Sequence, residues 1–468
     1  MSDDQHTERI AIVGAGPAGF YAADQLLKQG LEVDLYDALP TPYGLVRAGV
    51  APDHPKIKSV TRAYAKTAAK EGFRFFGGVA LGEHVTRAEL LERYHGVVYA
   101  FGSATDNRLG IPGEDLEGSY AATEFVAWYN AHPDFAGHEY DLSGGRAVVV
   151  GNGNVAIDVA RMLVLTPDEV SGTDTADHAI EAFGDAGVDE VVLLGRRGPA
   201  QAAFTNPELR ELGELTRADV IVDPADLVLD ADSEAWLQSE DAHTTNRKNV
   251  EILRDYAGRE PKGHSHRVVL RFLRSPLEVL GDEEGRVRGL RIGINRIERR
   301  DDGRLAAVPT GREEEMECGL VLRSIGYRGS PVCTVPFDAE RGLVRNDGGR
   351  VVDDEGEPLP GEYATGWIKR GPSGVIGTNK KDSADTTAKL LCDREAGRLN
   401  VPSQTDPDAI EPWLRERAPG LGTWEDWEAI DAHETAAGEA KGRPRVKLVD
   451  RDEMARVGAG ASAQPAGR

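Results

Sequence analysis

Two glycine-rich turns of one design occur in this sequence, and the strands that follow them end in opposite charge. The first is Gly14-Ala15-Gly16-Pro17-Ala18-Gly19; the second is Gly151-Asn152-Gly153-Asn154-Val155-Ala156. A glycine turn between a strand and a helix lets backbone N–H groups approach a pyrophosphate, with the helix N-terminus facing its negative charge. After the first turn the next strand ends in Asp37, an acceptor suited to ribose hydroxyls. After the second, a strand ends in Arg196 and Arg197, which suit a 2′-phosphate. One chain is therefore expected to hold two nucleotides of different kinds. Out of context, a lone glycine motif is only a tight turn, and an arginine pair only a solvated strand end.

The context is supplied by the flanking residues. Residues 9–13 (RIAIV) form a short apolar strand, residues 18–29 carry Phe20, Ala23, Leu26 and Leu27 at helical spacing, and residues 31–37 alternate into a second strand. The second unit starts with the strand 146–150 (RAVVV) and a helix through 156–165. Its arginines come later than the usual interval of about 20 residues, because 166–187 is interposed, read as a polar loop and a helix over 178–183. Residues 40–55, rich in proline and glycine, read as a long functional loop, with a helix over 56–71 after it. Residues 267–294 predict an antiparallel excursion turning at Gly281-Asp-Glu-Glu-Gly285. Residues 320–325 read as a strand returning the chain to the first domain, 378–391 as a helix, and 456–468 as a disordered tail.

Length and composition bound the rest. At 468 residues, with 54 glycines and 6% aromatics, the chain is too long for one ordinary domain and matches a soluble α/β enzyme. A net charge of −24 argues against a nucleic-acid partner. Cys318, Cys333 and Cys392 form no CxxC or cluster-ligand spacing, so neither a redox dithiol nor an iron–sulfur site is readable. The acidic N-terminus lacks the pattern of a leader and no apolar run reaches membrane length, so the expected compartment is cytoplasmic.

Longer motifs carry a resemblance. Pro42-Tyr-Gly-Leu-Val-Arg-Ala-Gly-Val-Ala-Pro-Asp-His-Pro-Lys56, Gly195-Arg-Arg-Gly-Pro199 with Gln201-Ala-Ala-Phe-Thr205, and Gly366-Trp-Ile-Lys-Arg-Gly-Pro372 with Gly374-Val-Ile-Gly-Thr-Asn-Lys-Lys381 resemble signatures of adrenodoxin reductase and the bacterial NADPH–ferredoxin reductases. The resemblance implies an α/β fold of two Rossmann-like domains, with the NADP domain (106–324) inserted into a discontinuous FAD domain (1–105 and 325–455). It implies FAD on the first turn and NADP(H) on the second. Ala18, Asp37, Leu45 and Leu81 would then line the adenosine and pyrophosphate of FAD. Trp367 and Gly374-Val375-Ile376 would meet the flavin ring, Gly374 leaving room for close approach. Asn152, Gly153, Asn154 and Val155 would hold the NADP pyrophosphate, with Arg196 and Arg197 on the 2′-phosphate. Glu208 and Glu211, by spacing alone an exposed acidic helix face, become holders of the nicotinamide end. His54, by itself a loop histidine, would sit beside the flavin, paired with Glu211, as a modulator of hydride transfer.

The implied partner is a separate iron–sulfur ferredoxin, since a flavin converts two-electron donors to one-electron acceptors. An acidic ferredoxin needs a local basic face on this acidic chain. The candidates are Arg210, Arg217, Arg247, Lys248 and Arg254, with Lys369, Arg370, Lys380 and Lys381; otherwise these are scattered solubilising charges. A monomer is expected. The competing readings are an electron-input subunit of a larger complex, a flavin monooxygenase, and a non-catalytic NADP(H) sensor.

Overall fold

The computed structural model describes residues 8–332 and 334–462, without the side chains of 461 and 462. The chain divides into two compact units. One draws on Met1–Thr105 and Tyr327–Arg468, the other on Asp106–Gly326. The second unit therefore ends at Gly326 rather than 324.

The first unit is built on a seven-stranded sheet. Arg9–Val13 lies centrally, flanked in parallel by Glu32–Tyr36 and Gly96–Tyr99. Phe73–Phe76 and Pro358–Ala364 extend the parallel run on either side, and short antiparallel strands finish one edge. The central strand is buried at every residue, as a parallel strand covered on both faces must be. The helix Pro17–Lys28 packs one face of the sheet together with the long helix Ile376–Glu395, whose Ser383 hydroxyl donates to Ala18 O at 2.9 Å. The expected helix over 56–71 is instead two pieces, Pro55–Lys58 and Thr61–Ala68.

The second unit holds a six-stranded, wholly parallel sheet in the order Ser119–Ala121, Leu320–Arg323, Arg146–Val150, Glu190–Gly195, His266–Phe272, Ala218–Val222. Two sequence expectations change here. Leu320–Arg323 does not return the chain to the first unit; it pairs in parallel with Arg146–Val150 and belongs to the second. The stretch expected as an antiparallel excursion begins with a parallel strand, His266–Phe272, and turns at Leu273 (φ +57°) into an antiparallel three-stranded sheet of Arg274–Gly281, Val287–Arg299 and Leu305–Glu317. The interposed segment 166–187 holds two short helices, Pro167–Ser171 and Asp177–Gly184.

The tail expectation fails in part. Arg451–Ser462 is a helix. Met454 is buried in the core of the first unit and Val457 packs against it one turn on, which gives an Ala/Gly-rich segment an apolar stripe to dock. Residues 463–468 and Cys333 lie outside the described residues.

Candidate nucleotide sites

The three glycines of the first turn answer to different demands. Gly14 has φ +115°, and a Cβ there would stand 2.5 Å from Ala100 O, so the protein itself requires glycine. Its N–H donates to Tyr36 O at 2.8 Å. A Cβ on Gly19 would stand 2.0 Å from Gly14 O, so helix and turn pack too closely for a side chain. Gly16 is different. Its backbone is extended, and no protein atom lies within 4 Å of where its Cβ would be. The fold itself makes no demand for glycine there, and the position stands open to a group approaching from outside.

Gly16 also heads the helix Pro17–Lys28 without a side-chain cap. Elsewhere Thr86, Thr166 and Thr423 close helices with reciprocal capping boxes. Proline at the first helical position removes one unpaired donor, and the remaining first-turn N–H groups stand ready for an anion.

Asp37 buckles this turn. One carboxylate oxygen accepts from Ala15 N at 2.8 Å, the other from Leu39 N at 2.9 Å. Burial pushes its carboxyl up to about 6, against the pull of those two N–H groups and Arg451. A carboxylate has about four acceptor sites, so two hydrogen bonds leave capacity for a ribose hydroxyl pair. The Pro42–Leu45 segment stacks on the same turn. Tyr43 N donates to Ala15 O at 2.8 Å, and a Cβ on Gly44 (φ +48°) would lie 3.1 Å from Gly16 Cα. Tyr43 itself has φ +85°, a strained value for a bulky residue. Leu45 is exposed on the short helix Leu45–Ala48, and Leu81 is half-buried in a bridge to Val85. His54, half-buried, heads the helix Pro55–Lys58, its N–H donating to Ala51 O at 3.0 Å.

The Trp367 turn is held by Asp382, which sequence reasoning missed. This buried carboxylate accepts from Gly366 N at 2.6 Å and Thr365 Oγ1 at 3.1 Å, and pairs with Lys369 at 3.0 Å. Gly366 (φ +74°) meets Ala18, whose Cβ would be 2.6 Å from an added one, so the two motifs abut. Trp367 lies against Tyr327 with ring centroids 5.2 Å apart, and its buried Nε1–H has no protein acceptor. A buried donor left unmade costs about 1–3 kcal/mol, and a water molecule or a bound group would satisfy it. Gly374 has a reason to be glycine within its own turn. Its φ is +79° and a Cβ would meet Thr378 Oγ1 at 2.5 Å, so the turn's own geometry demands it. Val375, exposed, and Ile376 begin the helix Ile376–Glu395, where Val375 N donates to Thr378 Oγ1.

The second unit repeats the glycine logic. Gly151 has φ +147°, and a Cβ would stand 2.1 Å from Ser324 O; Gly153 has no protein atom within 4 Å of that position. Gly153 heads the helix Asn154–Val164, again with no side-chain cap. Asn152 O accepts from both Ala203 N and Phe204 N at 3.0 Å, and Asn154 Oδ1 from Thr205 N at 2.8 Å. The Gln201–Thr205 motif is thereby stapled to the turn that carries Val155.

Arg196 and Arg197 are exposed at the end of the strand Glu190–Gly195, and among the described residues neither guanidinium has a carboxylate partner. Partial burial and the Arg196 charge draw Arg197 below its ordinary value. Asn295, buried and unnoticed in the sequence, donates to Arg196 O at 3.0 Å, and Leu273 N donates to Arg197 O at 3.2 Å. Glu208 and Glu211 share the helix Asn206–Glu211. Glu208 accepts from the Thr205 hydroxyl, and Glu211 is not a plain exposed acid, since it pairs at 3.1 Å with buried Arg161. Arg161 also pairs with Asp158, three residues earlier on its own helix, at 3.0 Å.

Of the cations expected to form a docking face, several are committed internally. Arg247 donates to Leu237 O and Ser239 O, Arg217 to Val164 O, and Arg370 to Asn379, while Lys369 pairs with Asp382. Among the described residues no group of His, Cys, Asp and Glu could hold a metal, and no helix is long and apolar enough to cross a membrane.

A family model described as pyridine nucleotide-disulphide oxidoreductase matches residues 8–193. An NADPH-ferredoxin reductase, FprA, of Mycobacterium leprae is 50% identical over 97% of this chain and 99% of its own. Human mitochondrial NADPH:adrenodoxin oxidoreductase is 42% identical over 98% and 93%. The structure of Mycobacterium tuberculosis FprA in complex with NADPH matches with TM-score 0.90 at 49% identity, covering 97% of this chain and all of that one.

Proposed function

The chain belongs to the NADPH–ferredoxin reductase family that includes adrenodoxin reductase, and on that premise we propose that it oxidises NADPH and passes single electrons to a separate iron–sulfur ferredoxin. FAD, when bound, accepts a hydride from NADPH and releases the electrons one at a time, chemistry that side chains do not supply.

The unit formed by the chain's two ends is the FAD domain in this reading, and Asp106–Gly326 the NADP domain. Gly14, Gly16, Pro17, Ala18 and Gly19 bind the FAD pyrophosphate, Asp37 the ribose, and Leu45 and Leu81 flank them. Trp367, with Gly374, Val375 and Ile376, meets the ring. Asn152, Gly153, Asn154 and Val155 bind the second pyrophosphate, and Arg196 and Arg197 select the 2′-phosphate. Glu208 and Glu211 hold the nicotinamide end, Arg161 fixing Glu211. His54 and Glu211 tune alignment rather than carry the reaction, since hydride transfer needs placement more than acid–base help.

One observation carries the coenzyme choice: an exposed arginine pair without a carboxylate partner among the described residues, in a chain with 79 acids and 55 bases. Two adjacent guanidiniums beside an uncapped glycine turn fit a phosphate monoester. A monomer acting in the cytoplasm completes the reading. The experiment is steady-state reduction of cytochrome c by NADPH with and without an acidic [2Fe–2S] ferredoxin. Reduction that depends on the ferredoxin supports the proposal; NADPH oxidation that instead consumes oxygen and yields a hydroxylated product would reject it.

A further inference from the structure

The antiparallel sheet of Arg274–Gly281, Val287–Arg299 and Leu305–Glu317 contains neither glycine turn and neither arginine of the pair, yet it braces the strand end that carries that pair. Asn295, 5% exposed, donates from its amide to Arg196 O at 3.0 Å and to Ser275 Oγ at 2.8 Å. Both N–H bonds of the amide are thereby used. Its backbone N–H donates to Leu273 O at 2.9 Å, and Leu273 N in turn donates to Arg197 O at 3.2 Å. The two consecutive carbonyls of the arginine pair are held from one corner of the fold.

Two irregularities build this corner. Leu273 has φ +57°, one of three positive values at non-glycine residues among the described residues, and such a conformation costs a bulky residue about 1–3 kcal/mol. In the sheet, register breaks between Gly293 and Asn295, where residues 310–312 of the outer strand face Ile294 alone. A bulge of this kind bends the strands and re-aims the side chain beside it. The corner also packs under the residue after the pair: a Cβ on Gly198 would lie 3.9 Å from Leu273 Cδ2 and 4.0 Å from Ile297 Cγ1. Before the pair, a Cβ on Gly195 would stand 2.9 Å from Asn152 Nδ2 of the glycine turn. The backbone of 195–198 is thus fixed at both ends and at both arginine carbonyls. Among the described residues, neither guanidinium has a carboxylate partner.

We propose that Asn295 is a positioning residue for coenzyme choice, presetting the backbone of Arg196 and Arg197 so that both guanidiniums meet the 2′-phosphate of NADPH. The inference rests on the role given to that pair above and deepens it. Each arginine side chain has about 2 kcal/mol of rotamer entropy to lose on binding. With no carboxylate to hold the guanidiniums, the direction set by the backbone is what limits that loss. Because Asn295 acts through the arginines, its removal weakens coenzymes that carry the 2′-phosphate and spares those that lack it.

The test titrates the FAD-loaded full chain calorimetrically with NADP+ and with NAD+, and measures the KM for NADPH and for NADH with ferricyanide as acceptor. Asn295→Leu keeps the size of the side chain and removes its donors. Ser275→Ala is the milder variant, taking away the second acceptor that orients the amide. Asn295→Leu is expected to weaken NADP+ and raise the KM for NADPH about tenfold, the worth of one hydrogen bond, with NAD+ and NADH within about twofold of wild type. Ser275→Ala should shift the same ratio about threefold. Equal losses for both coenzymes overturn the proposal, since they would make Asn295 a general support of the fold, and so do wild-type ratios in both variants. Should Asn295→Leu not fold, the ratio in Ser275→Ala decides alone. Arg196→Gln/Arg197→Gln measured alongside separates the two claims. If that variant keeps the preference for NADP+, the reading of the arginine pair falls and this inference falls with it; if it loses the preference while Asn295→Leu keeps it, only this inference falls.

Discussion

Arg47 and Glu434, 387 positions apart, form a two-pronged ion pair at 2.8 and 2.5 Å, with the glutamate wholly buried. Arg47 lies on the short helix that follows the Tyr43-Gly44 turn, and Glu434 on the helix Trp424–Ala440. Glu434 also accepts from Leu448 N at 2.9 Å and from Arg445 at 3.2 Å, while the Arg47 guanidinium lies 5.3 Å from the Trp427 ring. The helix Trp424–Ala440 thus holds the loop that stacks on the first glycine turn.

Breaking that clamp has a pH signature. Burial alone would raise the Glu434 carboxyl, but Arg47 and Arg445 outweigh it and hold it below the ordinary carboxylate range. A depressed acid stabilises the fold above its unfolded value of about 4.3 and loses that contribution as pH falls through the lower, folded value. Glu434→Gln leaves buried arginine charge uncompensated and is expected to cost about 3–5 kcal/mol at pH 7. Thermal unfolding followed by circular dichroism should show a large gap between wild type and variant at pH 7 that narrows towards pH 3. A gap independent of pH would mean that packing, not charge, holds the helix.

Glycine substitutions separate the demands of the fold from those of a ligand. Gly14→Ala is expected to fold poorly, since its φ is positive and its Cβ collides with Ala100. Gly16→Ala and Gly153→Ala meet no protein atom, so each should melt near the wild-type temperature. Gly16→Ala should then bind FAD weakly, and Gly153→Ala NADPH. Isothermal titration of each nucleotide checks this, and wild-type affinity in either variant would remove the glycine from its site.

Local patterns were legible in the sequence, and partners distant along the chain were not. The glycine turns, Asp37 and the Arg196–Arg197 pair are local patterns, each set by a strand, a turn and a helix contiguous in the chain. Asp382, Asn295 and Glu434 act on residues 16, 99 and 387 positions away, and no short-range pattern announces them. That Leu320–Arg323 pairs inside the second unit instead of leading back to the first was not legible, because a buried parallel strand reads the same in either sheet. Gly374 lies within a binding motif, yet the demand of its own turn for glycine shows only in the folded backbone.

Asp37 predicts how FAD affinity varies with pH. A carboxyl pushed up to about 6 favours its protonated form in the folded protein, so the stability it contributes below the unfolded value is lost as pH rises through about 6. Ribose hydroxyls donate to the ionised form, so FAD affinity should weaken as pH falls below about 6. Flavin-fluorescence titrations from pH 5 to about 8 should show that trend in the wild type and lose it in Asp37→Asn. A trend that survives in Asp37→Asn would assign it to another group.

Charge at the end of the second nucleotide strand should set coenzyme choice. Arg196→Gln/Arg197→Gln removes charge-assisted hydrogen bonds worth about 2 kcal/mol each, so the KM for NADPH should rise well over tenfold while that for NADH barely moves. Equal losses for both coenzymes would place the 2′-phosphate elsewhere.

The central claim is that two different nucleotides work in sequence on one chain. Anaerobic stopped-flow mixing of the FAD-loaded protein with NADPH, followed by oxidised ferredoxin, tests it most directly. The account predicts fast bleaching of the yellow flavin band by NADPH, slow bleaching by NADH, and full recovery of colour as the ferredoxin is reduced. A purified protein that retains no flavin, or a band that NADPH bleaches and ferredoxin leaves bleached, would contradict it.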